Sequence, residues 1–267
     1  MIDATKTNSP WVLIELDHVI YAISCNAVLS LNQVPEITPL PAAPREVRGV
    51  IKFRTKLIQL IDTRLLLNRK SIVEEMVEFD EMIDQRYKDY FNCIGVLEKN
   101  IKEDVEFTLT TDPRKCAFGK WYYNYKPENT SLIFSSTFAK FDEPHREIHQ
   151  MQITAKNLVE SGKKSEAIEL IESVKNDELK QMGILFEELK EAYKEGRRET
   201  VVVLGDENKS MGISVDQIAS IENLFEFDED FIKESLSNTD YLSGVAKRKD
   251  NSIVLLLNDE YVLCKYH

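Results

Sequence analysis

The chain has 267 residues, enough for one large domain or two modest ones that each bury a core. Apolar residues make up 43% and charged residues 30%, the ordinary balance of a water-soluble globular protein. A formal net charge of -12 argues against a surface built for phosphate, so no nucleic-acid partner is expected. The polar start, Met1 to Pro10, lacks the apolar core of a signal peptide, and no apolar run approaches the ~20 residues that cross a bilayer. Cys25, Cys93, Cys116 and Cys264 are scattered at no disulfide-like spacing. They read as reduced thiols in a cytoplasmic protein.

Taken in order, Trp11 to Ile23 predicts strand, turn and strand, with Asp17-His18 as the break and His18 a solvated turn residue. Ala27 to Leu31 fits a short helix or a strand. Pro35, Pro39, Pro41 and Pro44 then mark a loop that continues neither. Two strands follow, from Gly49 to Arg54 and from Lys56 to Asp62, with a turn around Thr55. Asp62 opens a capped helical turn.

At Val73 the period changes. Ile83, Tyr87, Tyr90, Ile94, Leu97 and Ile101 recur at steps of four and three, the seam of an amphipathic helix. Asp112-Pro113 opens a turn before an aromatic-rich stretch, Phe118 to Tyr125. Phe138 and Phe141 begin a helix that carries His145 and His149 and breaks at Ser161-Gly162. Ala167 to Val174 predicts one amphipathic stretch, and after Asn176-Asp177 the seam Leu179, Met182, Phe186, Leu189 and Tyr193 predicts another. Gly196 and the neighbouring cations stop it. Four such stripes with short connections suggest an antiparallel helical bundle.

The β pattern returns at Thr200. Val201 to Leu204 reads as a buried strand, Gly205 to Asn208 as a turn, Met211 to Val215 and Ile218 to Asn223 as strands. Phe225 to Asp240 is an acidic connection, and Gly244 to Leu257 is a last hairpin. Strand-rich ends around a helix-rich middle imply an α+β chain of two domains. A β domain over 1–77 is interrupted by a helical domain over 78–198 and resumes over 199–267.

The rare chemistry concentrates between Asp112 and His149. His145 and His149 are four apart and lie on one helix face. With Cys116 they offer three N/S ligands to a zinc-type ion. The same spacing occurs in zinc hydrolases, where a Glu directly follows the first His. Here Glu147 comes two positions on, about 200° around the helix from His145. No nucleophile setting or phosphate loop appears elsewhere, so the chain is not expected to be an enzyme, with a zinc-dependent hydrolase as the rival reading.

The β segments resemble the CheW-like domain of bacterial chemotaxis. The resemblance rests on Trp11-Val-Leu-Ile-Glu-Leu, Val34-Pro-Glu-Ile-Thr-Pro-Leu-Pro, Val47-Arg-Gly-Val-Ile-Lys-Phe-Arg and Leu60-Ile-Asp-Thr-Arg. In the second half it rests on Met211-Gly-Ile-Ser-Val-Asp, Tyr241-Leu-Ser-Gly-Val-Ala and Ile253-Val-Leu-Leu-Leu. It implies two small intertwined β-barrels without an active site. It also implies an adaptor that links chemoreceptor cytoplasmic tips to the histidine kinase CheA. The family's receptor-engaging Arg-Gly pair reads Arg54-Thr55 here: the arginine is kept and the glycine is not.

The helical segment is similar to the chemoreceptor zinc-binding (CZB) domain, on Asp112, Cys116-Ala-Phe-Gly-Lys-Trp-Tyr-Tyr and His145-x-x-x-His149. That resemblance implies zinc held by one cysteine and three histidines, of which Cys116, His145 and His149 are three. It also implies that such bundles can pair, so a homodimer is open. The fourth ligand's Asp-His-x-x-Trp pattern reads Asp89-Tyr90-Phe91-Asn92-Cys93, with Tyr90 at the ligand position. Neutral tyrosine is a poor zinc ligand and a thiolate a good one. Three outcomes follow: a two-Cys, two-His site using Cys93, a three-ligand site closed by water or another group, or no metal with Tyr90 packed in the core.

Overall fold

A computed structural model describes residues 9–105, 110–126, 131–206, 208–228 and 240–266, with 176–178 as backbone. Most of the polar N-terminus, Glu207 in the expected turn and 229–239 of the acidic connection lie outside the described residues. The chain divides into two compact units, Met1–Glu74 with Arg197–His267, and Glu75–Gly196.

In the first unit, β1 (Trp11–Leu16) and β2 (Val19–Ser24) form a hairpin. Asp17 and His18 both have positive φ, 47° and 63°, as a two-residue turn matched to strand twist requires. A single 3-10 turn, Cys25–Ala27, leads into β3 (Val28–Gln33), so the ambiguous stretch is a strand. β4 (Val47–Phe53) and β5 (Lys56–Asp62) form the next hairpin, and Asp62 caps the short helix α1 (Thr63–Leu66) by accepting from Leu65 N at 3.1 Å. After the helical unit come β6 (Thr200–Gly205), β7 (Ser210–Val215), β8 (Gln217–Glu222), β9 (Phe225–Asp228), β10 (Leu242–Lys247) and β11 (Ile253–Leu257). A helix not foreseen from the sequence, Asp259–Lys265, follows them, capped by Asn258.

The strands make two sheets, ordered β8-β1-β2-β11-β10-β9 and β3-β6-β7-β5-β4. Each sheet takes strands from both sides of the helical unit, through the parallel pairs β2 with β11 and β5 with β7. β6 is buried on both faces: Val202 and Leu204 enter one core, Val201 and Val203 another. That is why it reads as a continuous apolar run. Closure is partial. The segment after β3 reaches β4 through one bridge, Thr38 with Val50. Gly49 (φ 142°) permits the approach, since a Cβ there would meet the Thr38 carbonyl oxygen at 2.2 Å. In the six-stranded sheet, β8 and β9 are unpaired with each other among the described residues.

A buried ion pair also joins the two chain halves. Arg64 Nε donates to Asp216 Oδ1 at 2.7 Å, and its Nη2 donates to the other carboxylate oxygen. The same carboxylate accepts from Asp17 N at 2.8 Å, and Arg69 reaches Asp17 at 2.6 Å. Arg48 and Glu199 make a second, half-buried pair at 2.5 Å.

The connection to the second unit is α2 (Ile72–Lys102), which starts at a capping box. Ser71 Oγ accepts from Val73 N at 3.0 Å, while Glu74 accepts from Ser71 N at 3.2 Å. The second unit adds α3 (Ala117–Tyr122), α4 (Leu132–Ala139), α5 (Asp142–Glu160) and α6 (Lys164–Glu195). α2 and α6 run antiparallel: Phe79 stacks on Tyr193 at 3.8 Å, Asp84 pairs with Lys190 at 2.6 Å, and Glu98 pairs with Lys175 at 2.5 Å. The predicted seam of α2 lies in this core.

Two expectations are corrected. Phe138 belongs to α4, and the histidine helix starts separately at Asp142, because Lys140-Phe141 closes α4 with its own turn. The two stripes split at Asn176-Asp177 are one helix of 32 residues. Neither residue is Gly or Pro, and Ala167, Ile171, Leu179 and Met182 all enter the same core, so packing carries the helix through a weak break.

Candidate metal centre

Cys116 is the N-cap of α3, and its sulfur accepts from Gly119 N at 3.1 Å. α5 places His145 and His149 one turn apart on its buried face, 1% and 3% exposed, with ring centroids 4.9 Å apart. His145 Nε2 lies 3.2 Å from Cys116 Sγ, and donor atoms from Cys116, His145 and His149 all fall within 4.8 Å of one another. Gly119 makes this approach possible. A Cβ there would sit 1.7 Å from the Pro113 carbonyl oxygen and 3.1 Å from His145 Cε1.

These residues line a cavity of about 250 Å³ together with Tyr90 and Cys93. Tyr90 is buried, with its ring 5.4 Å from that of Phe118 and its hydroxyl donating to the Pro144 carbonyl at 3.3 Å. Cys93 stands on the cavity wall outside the cluster of three, and its sulfur accepts from Gln152 Nε2 at 3.1 Å. Gln152 lies one turn beyond His149 on the same face of α5, and sequence reasoning missed it. The i, i+4, i+7 spacing of 145, 149 and 152 was the available signal.

Burial pushes the His145 imidazole down to about 4, with a smaller contribution from His149 and opposition from Asp142. Burial also lowers His149, against the backbone of Thr110 and the charge of Asp112. Both shifts favour the neutral ring, the form that ligates metal. Burial raises the Cys116 thiol, and the backbone N–H of Gly119 opposes it. Burial likewise raises Cys93, Gln152 lowers it, and Cys116 raises it further.

The donor set fits a zinc-type ion. Nδ1 of both His145 and His149 is buried without a hydrogen-bond partner, a costly state for two imidazoles in a packed core. A thiol and two imidazoles are the N/S chemistry zinc takes. Glu147 is exposed, away from the buried histidine face. Arg54 sits in the first unit, in the turn between β4 and β5, with φ 54° and its guanidinium 5.1 Å from the Phe53 ring centre. The left-handed position of that turn is thus the arginine itself, and Thr55 needs no glycine-like freedom. Among the described residues no helix is long and apolar enough to cross a membrane.

The model of the CheW-like domain matches residues 10–83, and that of the chemoreceptor zinc-binding domain matches residues 93–156. Tyr90 precedes the second match, and residues 199–267 lie outside both. Among solved structures, the chain is similar to the scaffolding protein TtCheW from Thermoanaerobacter tengcongensis, at 11% identity over 94% of this chain and 84% of that one, with a TM-score of 0.40. No curated protein matches the sequence. The chain therefore carries a CheW-like domain and a chemoreceptor zinc-binding domain in one polypeptide.

Proposed function

We propose that the protein is a cytoplasmic chemotaxis adaptor that couples chemoreceptor tips to the histidine kinase CheA, with an inserted zinc-binding module that regulates the coupling. The CheW-like domain comprises 1–77 and 199–267, and the module comprises 78–198. The observation that carries this reading is the convergence of Cys116, His145 and His149 in a unit whose flanking chain builds both sheets of the other.

Cys116, His145 and His149 hold the metal. Bound zinc would supply a cross-link between the start of α3 and the middle of α5 through thiolate and imidazole bonds. The chain prepares that link without it. Gly119 lets the Pro113 turn and the His145 ring approach, and burial favours the neutral form of both imidazoles. Arg54, exposed on its turn, is the receptor-side contact. The module is not catalytic in this reading, because Glu147, the acid nearest in sequence to the zinc-hydrolase pattern, is exposed and faces away from the site.

The test is CheA autophosphorylation in receptor arrays assembled with this protein, before and after chelation. Kinase output should change on metal removal, and Cys116→Ala should mimic the chelator. Equal output in all three conditions overturns the regulatory role.

A further inference from the structure

We propose that Cys93 supplies the fourth donor atom of the site and that Gln152 is the positioning residue that holds the Cys93 sulfur at the cavity. This rests on the reading that the site takes a metal ion, and it defines the donor set as two thiolates and two imidazoles.

Three observations support it. First, Tyr90 is engaged elsewhere: its hydroxyl donates to the Pro144 carbonyl, and its ring packs edge-on against Phe118. Second, Cys93 lies three residues along α2, about 60° around the helix, and lines the same cavity as Cys116, His145 and His149. Third, Gln152 is 2% exposed, and its side-chain amide is only half satisfied. Nε2 donates to Cys93 Sγ at 3.1 Å, whereas Oε1 is buried without a partner.

A buried acceptor without a donor is unfavourable, and an apolar side chain at 152 would avoid it. What the amide provides is a single N–H aimed at sulfur. An N–H donor stabilises a thiolate in an apolar setting and fixes its direction, as outer hydrogen bonds do for metal ligands generally. His145, His149 and Gln152 share one face of α5, so that helix presents two donor nitrogens and then the amide that addresses the Cys93 sulfur on α2.

Cobalt(II) titrated into the full chain, stripped of metal and kept under a phosphine reductant, tests the proposal. Near-ultraviolet absorption from thiolate-to-cobalt charge transfer scales with the number of bound sulfurs. The parent protein should give about twice the absorption of Cys93→Ala or of Cys116→Ala, as expected for a tetrahedral S₂N₂ site. Gln152→Leu should keep the sulfur count, bind cobalt roughly 10-fold more weakly or worse, and move the charge-transfer band to longer wavelength. Circular dichroism melting of the metal-free variants controls for folding.

Equal absorption from the parent and a folded Cys93→Ala overturns Cys93 as a ligand while leaving metal binding intact. A Gln152→Leu protein with parental affinity and band position overturns the positioning role. Failure of the parent to take up cobalt overturns the proposed metal function together with this inference.

Discussion

The two units arrange their interior polar groups differently. In the β unit, Arg64 and Asp216, and the half-buried Arg48 and Glu199, are charge pairs matched across the two chain halves, while Thr63 Oγ1 is buried without a partner. In the helical unit, Nδ1 of His145, Nδ1 of His149 and Oε1 of Gln152 are buried with no partner, all on one face of α5. Paired charges fix the β unit's assembly. The helical unit instead gathers a thiol and two imidazoles in one cluster, with ligand-type atoms within 4.8 Å of one another. The difference separates charge pairs that join distant strands from a compact cluster of ligand-type side chains.

The largest effect expected from breaking this contrast is in the β unit. Arg64→Ala leaves the Asp216 carboxylate partly buried without its bidentate partner and should cost about 3–5 kcal/mol in denaturant unfolding. Replacing both residues by leucine should restore most of it. A loss below about 1 kcal/mol for the single variant would show that the pair does not join the halves.

Next comes the acid response of the helical unit without metal. The folded pKa of His145 is lowered from 6.5 to about 4, so the unfolded chain takes up the proton first as pH falls. Its stabilising contribution is complete above about pH 6.5 and is lost down to about pH 4, a change on the order of 3 kcal/mol. Chemical unfolding followed across that window should show the slope in the parent and a flatter profile in His145→Gln. A saturating metal should suppress it, because ligation holds the ring unprotonated.

The smallest effect sharpens the role of Tyr90. Tyr90→Phe removes the hydroxyl that donates to the Pro144 carbonyl and keeps the ring, so stability should fall by about 1 kcal/mol with metal stoichiometry unchanged. Loss of metal in that variant, measured by elemental analysis, would instead make the phenol a ligand.

Much of this organisation is legible in single residues. Ile83, Tyr90, Ile94, Leu97 and Ile101 name the buried face of α2, because a four-and-three repeat leaves few other ways to hide them. The i, i+4 spacing of His145 and His149 requires a shared helix face, and both rings are buried together. Asn176-Asp177 misled, since a local turn preference is overridden where flanking residues enter one core. The spacing of Gln152 to His145 and His149 places it on their helix face, but residue type alone does not say that its amide meets Cys93.

By itself the sequence determined the alternation of β and helical segments, the seams that each helix buries, and the thiol and two imidazoles available for one ion. These follow from periodicity and spacing, which are properties of neighbours along a chain. Only the tertiary structure decided that strands from both ends interleave into two sheets, that Tyr90 turns to Pro144, and that Gln152 addresses Cys93. Those relations join residues 54 to more than 200 positions apart, where the meeting is set by packing and by the need to satisfy buried polar atoms.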